Sequence, residues 1–280
     1  MPYKVYVSAS TQNNNIGVGN YRTEQDEMMI LADRVKCFLD LQKQFEVYRN
    51  KKGWTTEQTV KDCKSKKCDL FVDNHTNAGS PKAEGTETFY HKDGSNGSKK
   101  FSDILYAEVA PLSPGSDRGS RSDLELYKNG LYVLRNVDCP GSLIEHIFHT
   151  NLEEVNHLLS NMDKYAIAEA QAICKYFSVK FDYNAVLIKI LEDSGVLNSS
   201  ELWTNVFNGK VKANKLYSEI LLMNILKIMN VDMVDLYVQQ LYMDKIINSP
   251  DYWVNVFKGD VNAIPDYSEK LLNNIILAIE

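Results

Sequence analysis

The succession of apolar periods along residues 3–177 constrains this chain more than any other feature. Short runs rich in β-branched and aromatic residues alternate there with longer runs of helical period. Tyr3 to Ser8 reads as a strand. TEQDEMMILADRVKCFLDLQKQ opens on the N-cap candidate Thr23 and reads as a helix with Met28, Leu31, Val35, Leu39 and Leu41 on its buried stripe. FEVYRN, DLFVDNH, TETFYH, LYVLRN and GSLIEH read as further strands, and TTEQTVKDCKSKK, SKKFSDILYAEVAPL, TNLEEVNHLLSNM and NMDKYAIAEAQAICKYF as further helices. Such alternation predicts an α/β fold, a mostly parallel sheet with helices on both faces. In such sheets the chemistry gathers beyond the carboxyl ends of the strands.

Near Ser178 to Asn184 the strand pattern stops, and an internal repeat with an offset of 50 positions begins. GVLNSSELWTNVFNGKVKANKLYSEILLMNIL aligns without gaps to KIINSPDYWVNVFKGDVNAIPDYSEKLLNNII, with about half of the positions identical, among them Trp203/Trp253, Phe207/Phe257 and Tyr217/Tyr267. Ser249-Pro250 is a helix start, and Gly209 and Gly259 are helix stops. The α/β part, residues 1–178, is therefore expected to be followed by a small all-α tandem-repeat domain, residues 185–280, with repeats at about 185–230 and 235–280. Trp203 and Trp253 fall at helical spacing with Phe207 and Phe257 and read as core.

Charge and cysteine usage exclude several classes. The net charge is −6, most of it in residues 181–280, which contain no Arg, so no cluster of cations exists to neutralise nucleic-acid phosphates. Five scattered cysteines, Cys37, Cys63, Cys68, Cys139 and Cys174, read as reduced thiols, with Cys63–Cys68 as the pairing to consider. No window approaches the roughly 20 apolar residues of a membrane span. MPYKVYVSAS alternates like a strand and lacks the charged head and apolar run of a secretory signal, so synthesis in a reducing cytoplasm is expected.

The densest chemistry lies in PGSLIEHIFHTN, residues 140–151, which brings Glu145, His146 and His149 into twelve positions. On a strand Glu145 and His149 share a face, and on a helix they stand one turn apart. A carboxylate beside an imidazole suits a metal-bound water with its general base. A strand-end ion pair and a residue leading into the next helix are the alternative readings.

Several stretches together resemble the zinc-dependent N-acetylmuramoyl-L-alanine amidases called family 3, which cleave the bond between muramic acid and the stem peptide of bacterial cell walls. EQDEMMILA is similar to the family's Glu-containing helix start, although Met28 stands where Asn is usual. FVDNHTNAG resembles its strand-His-x-Asn-Ala segment, GTETFY its Gly-x-Glu strand, DRG its Arg-Gly turn, and SLIEHIFHTN its Val-Glu-x-x-Phe-x-x-Asn signature. The resemblance implies a zinc cofactor held by Glu24 and His75, with Glu145 as catalytic carboxylate. One departure stands out: the family's first ligand is a His after strand one, and this chain has no His before His75, only SASTQNNN in that place. His149 is the expected substitute ligand, with His91 or His146 as alternatives, His91 being otherwise a substrate contact, and His157 a surface residue. Asn77 and Arg118 are candidate substrate contacts, or else a turn-stabilising amide and a structural ion pair. A site without metal that only binds wall fragments is the competing expectation.

The implied partner is peptidoglycan. The helical repeats would target the wall or pair two copies of the chain in a homo-oligomer. The two-part layout, missing signal and odd number of free cysteines are similar to a phage-type endolysin of a Gram-positive host, acting on the wall after release, with a host or bacteriocin-associated autolysin as the near alternative.

Overall fold

A computed structural model describes residues 1–92, 96–116, 118–195, 197, 199–207, 210 and 247–258. The chain divides into two compact units, Met1–Phe181 and Asp182–Glu280.

The first unit is built on a six-stranded sheet of order β2-β1-β3-β6-β4-β5. Its strands are β1 (Tyr3–Ala9), β2 (Phe45–Tyr48), β3 (Leu70–Asn77), β4 (Glu87–Tyr90), β5 (Ser120–Ser122) and β6 (Gly141–Phe148). All neighbours run parallel except β4 and β6. The helices are α1 (Glu24–Asp40), α2 (Thr56–Lys66), α3 (Asn96–Val109), α4 (Tyr132–Asn136), α5 (Leu152–Ser160) and α6 (Met162–Tyr176). The mostly parallel sheet with helices on both faces agrees with the expected class.

Both sets of alternating strand residues are buried, as a sheet covered on two sides requires. Tyr6, Phe71, Phe89 and Leu143 pack on one face with Val60 and Cys63 of α2 and Val133 and Leu134 of α4. Val5, Val7, Leu70, Val72 and Ile144 fill the other, where α1, α3 and α6 pack. Thr23 caps α1 by accepting from the Asp26 amide, and Thr55 and Gln58 close a capping box on α2.

The sheet edge departs from expectation. LYVLRN, expected as a strand, is the short helix α4, because six mostly apolar residues carry no period that separates the two states. The Asp123 carboxylate accepts the Leu131 amide (2.8 Å), and this starts the turn. The edge position goes instead to β5, whose residues Ser-Arg-Ser carry no apolar signal.

A polar trio lies buried between the sheet and α6. Asn74 donates to Glu169 (3.1 Å) and sits 2.7 Å from His146 Nε2, while Glu169 Oε2 and His146 Nδ1 have no hydrogen-bond partner. Burial pushes the Glu169 carboxyl up from 4.5 to about 8 and the His146 imidazole down to about 3. A carboxyl with a raised folded pKa takes up a proton on folding, so it lowers stability progressively as pH rises from 4.5 to about 8. Glu169→Gln is accordingly expected to flatten the decline of the urea midpoint across that window; an unchanged slope would refute the assignment.

In the second unit α7 (Tyr183–Asp193), α8 (Ser200–Phe207) and α9 (Pro250–Lys258) are described. α8 and α9 occupy equivalent places in the two repeats. Trp203 and Trp253 are both buried, and each donates its amide to the Ser four residues before it at 3.3 Å. Gly209, Gly259 and the rest of the repeats lie outside the described residues. Among the described residues no helix is long and apolar enough to cross a membrane.

Candidate active site

The parallel register of β3 and β6 sets His75 beside Glu145, and the antiparallel register of β4 sets Glu87 beside Glu145 from the other side. Asp73, two residues before His75, shares its face by the period of the strand. Glu24, first residue of α1, reaches over the strand ends, and its Oε1 lies 2.8 Å from His75 Nδ1. One imidazole and four carboxylates thus gather at the strand ends, Glu24 and Asp73 in contact with the ring, Glu145 beside it and Glu87 beyond Glu145.

His75 is held at both nitrogens, by Glu24 on Nδ1 and by Asp73 on Nε2 (3.2 Å). Burial alone would depress its pKa, but the two carboxylates outweigh it and hold the ring as a cation well above the usual range. For Glu24 burial works upward, and the bonds from His75, Asn15 and Ser10 bring the net shift downward. Asn15 Nδ2 donates to its second oxygen at 2.7 Å. Glu145 differs, because its Oε2 is buried without any hydrogen-bond partner. Burial, with Glu24, Glu87 and Asp73 nearby, pushes its carboxyl up to about 8 against the opposing field of His75. Beside the cluster opens a pocket of about 280 Å³, lined by Asp73 and His75, by the hydroxyls of Ser8, Thr11, Thr56 and Thr59, and by the apolar side chains of Leu131, Val133 and Leu143.

The other expected site residues divide. Asn77 joins the cluster, donating to Glu87 Oε1 at 2.7 Å, while Arg121 pairs with Glu87 Oε2 at 3.3 Å. Arg118 donates to the Glu84 carbonyl (2.6 Å) and lies over the Phe148 ring, 4.4 Å from its centroid. His91 contacts both oxygens of the buried Asp123 (3.1 and 3.0 Å), so its ring clasps the 123–131 loop.

His149, expected as the third ligand, does not join Glu24 and His75. The register slips between His75 and Asn77, where β6 carries one extra residue, and this bulge takes His149 off the face of Glu145. Its Nδ1 donates to the Thr76 carbonyl at 3.1 Å, and its ring stacks on Tyr21 at 5.8 Å. Tyr21 in turn bonds the Thr76 hydroxyl at 2.6 Å. His146 faces the opposite side of the sheet, beside Asn74 and Glu169.

Residues 9–175 match the family model of the N-acetylmuramoyl-L-alanine amidases, and the chain belongs to that family. A curated relative, the uncharacterized protein YqiI of Bacillus subtilis (strain 168), is 29% identical over 183 residues, 64% of this chain and 84% of its own. The catalytic domain of CwlV, an N-acetylmuramoyl-L-alanine amidase from Bacillus (Paenibacillus) polymyxa var. colistinus, is 25% identical with a TM-score of 0.57, over 64% of this chain and 99% of that domain. An N-acetylmuramoyl-L-alanine amidase of Clostridium difficile 630 shares the fold at 23% identity and a TM-score of 0.56, over 64% of this chain and 98% of that one.

Enzymes of this family are generally zinc-dependent, and the donors here can be tested against that need. Glu24 Oε1 and His75 Nδ1 converge, but the loop after β1 supplies only hydroxyls and amides. Thr11 pairs there with Thr56 (3.1 Å), and Ser10 accepts from the Gln12 amide (3.2 Å). Among the described residues no three His, Cys, Asp or Glu side chains are placed to hold a metal ion. A zinc site with three protein ligands does not fit this donor set. The purified full chain is therefore expected to hold well under one zinc per chain. His149→Ala should leave that content unchanged while lowering stability by about 1–3 kcal/mol through the lost buried hydrogen bond. Metal analysis beside urea unfolding checks both, and zinc lost on His149→Ala would restore the histidine as a ligand.

Proposed function

We propose that the chain is a peptidoglycan hydrolase that cleaves the amide between N-acetylmuramic acid and L-alanine, with Glu145 as the proton-transferring group. The observation that carries this reading is the buried, unpartnered Oε2 of Glu145 at the carboxyl end of the sheet, beside His75, which lines a pocket of mixed hydroxyl and apolar side chains. A carboxyl poised at about 8 populates both protonation states near neutral pH. As carboxylate it takes a proton from the attacking water, and as acid it returns one to the leaving amine of L-alanine.

The surrounding groups hold that state. His75, kept cationic between Glu24 and Asp73, opposes the upward pull of burial on Glu145. Asn77 and Arg121 fix Glu87, so that its charge stays in place beside Glu145. The hydroxyls of Ser8, Thr11, Thr56 and Thr59 offer donors and acceptors to a sugar or peptide amide. In the wider reading the helical repeats tether the hydrolase to the wall, raising the local concentration of scissile bonds. Release onto the wall as a phage-type lysin would then follow.

A second reading is a wall-binding protein without turnover. The contact of a carboxylate with each His75 nitrogen favours it, since the ring then has no free nitrogen to offer a metal or a substrate. Purified walls incubated with the full chain, with chelator and with added zinc, separate the two. Release of new N-terminal alanine supports hydrolysis, whereas co-sedimentation with no release under any condition supports binding alone.

A further inference from the structure

Three of the five cysteines meet at one place, far along α2 from the acidic cluster. Cys63 lies in the last turns of α2 and is buried, and its thiol touches those of both Cys139 and Cys68. Cys68 and Cys139 are half-buried and pack on the same apolar cluster. All three line a pocket of about 200 Å³ that also presents Lys64, Lys67 and Asp138.

The helix end explains the closest pair. α2 terminates on Lys67 in the left-handed conformation, φ 52°, with its amide donating to the Lys64 carbonyl at 3.0 Å. At such a left-handed helix end the residue just after the left-handed one turns back towards the residue in the last turn five positions before it. Those two residues are Cys68 and Cys63. Cys139 arrives independently, from the turn that leads into β6, and the Lys64–Asp138 ion pair (3.0 Å) holds that turn against α2.

The five cysteines of the chain are all thiols in this structure. Among the described residues no three are arranged to hold a metal ion, so the chemistry open to this cluster is thiol–disulfide exchange. We infer that Cys63, Cys68 and Cys139 form a modification site whose co-reactant is a low-molecular-weight disulfide, and that it closes a Cys63–Cys68 bond. The thiolate of the more accessible Cys68 attacks one sulfur of the disulfide RS–SR, forming a mixed disulfide and releasing RS⁻. Cys63 then loses its proton and attacks the Cys68 sulfur, expelling the second RS⁻. Two protein thiols are oxidised and one RS–SR is reduced to two RSH. Lys64 and Lys67 line the same pocket and attract an anionic disulfide such as oxidised glutathione. With Cys63 in contact with both partners, the bond can pass to Cys63–Cys139 by exchange with the third thiol.

The test needs no wall substrate, so it stands or falls apart from the amidase reading. The full native chain is incubated with oxidised glutathione, quenched with an alkylating reagent and mapped by peptide mass. The expected result is loss of two thiols, as a Cys63–Cys68 cross-link, at a rate about tenfold or more above the modification of Cys37 or Cys174. Cys63→Ser is expected to leave a persistent glutathione adduct on Cys68 or Cys139 with no internal bond. Cys68→Ser should redirect the cross-link to Cys63–Cys139. Five intact thiols in the native chain, under conditions that oxidise a reference dithiol peptide, would overturn the inference, as would equal rates at all five cysteines.

Discussion

Glu145→Gln is expected to lower the release of alanine N-termini from purified walls by roughly 10²–10⁴-fold, the range over which a positioned general acid–base contributes. The amide has the shape of the carboxyl but carries no transferable proton at neutral pH. The exchange breaks no hydrogen bond at Oε2, because that atom has none. Folding should therefore survive, and its pH dependence gives a second readout. The Glu145 carboxyl is raised from 4.5 to about 8 in the folded chain, so it takes up a proton on folding and lowers stability as pH rises through that interval. The Gln variant should be as stable as the parent at the acid end and more stable at the alkaline end. Wild-type release by a folded Glu145→Gln chain would remove Glu145 from the chemistry.

Glu154→Ala is expected to destabilise the first unit by about 2–6 kcal/mol, because it strands two buried amides at ~1–3 kcal/mol each. Glu154 is buried in the first turn of α5, and its Oε2 accepts the Phe148 amide at 2.7 Å. Its Oε1 accepts the Gly85 amide at 2.7 Å and the Ser113 hydroxyl at 3.0 Å. A single carboxylate thereby ties the end of β6 to two loops. Those loops have no slack: Gly85 has φ +101°, and a Cβ there would stand 1.9 Å from the Ser116 carbonyl oxygen. Urea unfolding measures the loss, and hydrogen exchange should speed up at Gly85 and Phe148 in particular. A change under about 1 kcal/mol would mean that water or a neighbour replaces the carboxylate.

The alternation of periods carried most of the first unit, because a strand buried on both faces and an amphipathic helix leave different spacings in the sequence. It failed where a segment is too short to show a period, at α4, and where a strand is held by its neighbour rather than by apolar residues, at β5. In the site, Glu24, His75 and Glu145 are visible as carboxylates and an imidazole at element ends, and the fold gathers them. Asp73 is not singled out in the sequence, although period two places it on the face of His75. Glu87 lay in the Gly-x-Glu stretch, but nothing local says that β4 inserts antiparallel beside β6. His149 lies where the strand pattern breaks. Face-sharing with Glu145 holds only for an unbroken strand, and one inserted residue, invisible in the sequence, sends the ring to Thr76 and Tyr21. Glu154 stands three residues after Asn151, the N-cap of α5, an ordinary place for an acidic residue in a first helical turn. Its carboxylate instead leaves the helix for partners 69 and 41 residues away.

The position of β6 has a consequence for how the molecule is made. It is the last strand of this sheet in chain order but lies in the sheet's interior, joining β3 of the parallel half to β4 of the edge pair. While the ribosome is still short of residue 141, β3 and β4 each lack the neighbour that β6 will supply. The strand that unites them also delivers Glu145, so the completed sheet and the proton-transferring group arrive in one event. A nascent or truncated product ending before β6 exposes two unpaired edges, the kind of surface on which folding intermediates associate and chaperones act. Arrest of translation before residue 141 and, in a second sample, far enough beyond residue 148 for β6 to clear the exit tunnel, followed by limited proteolysis, should show protection of β1–β3 and β4 appearing together and only in the second sample.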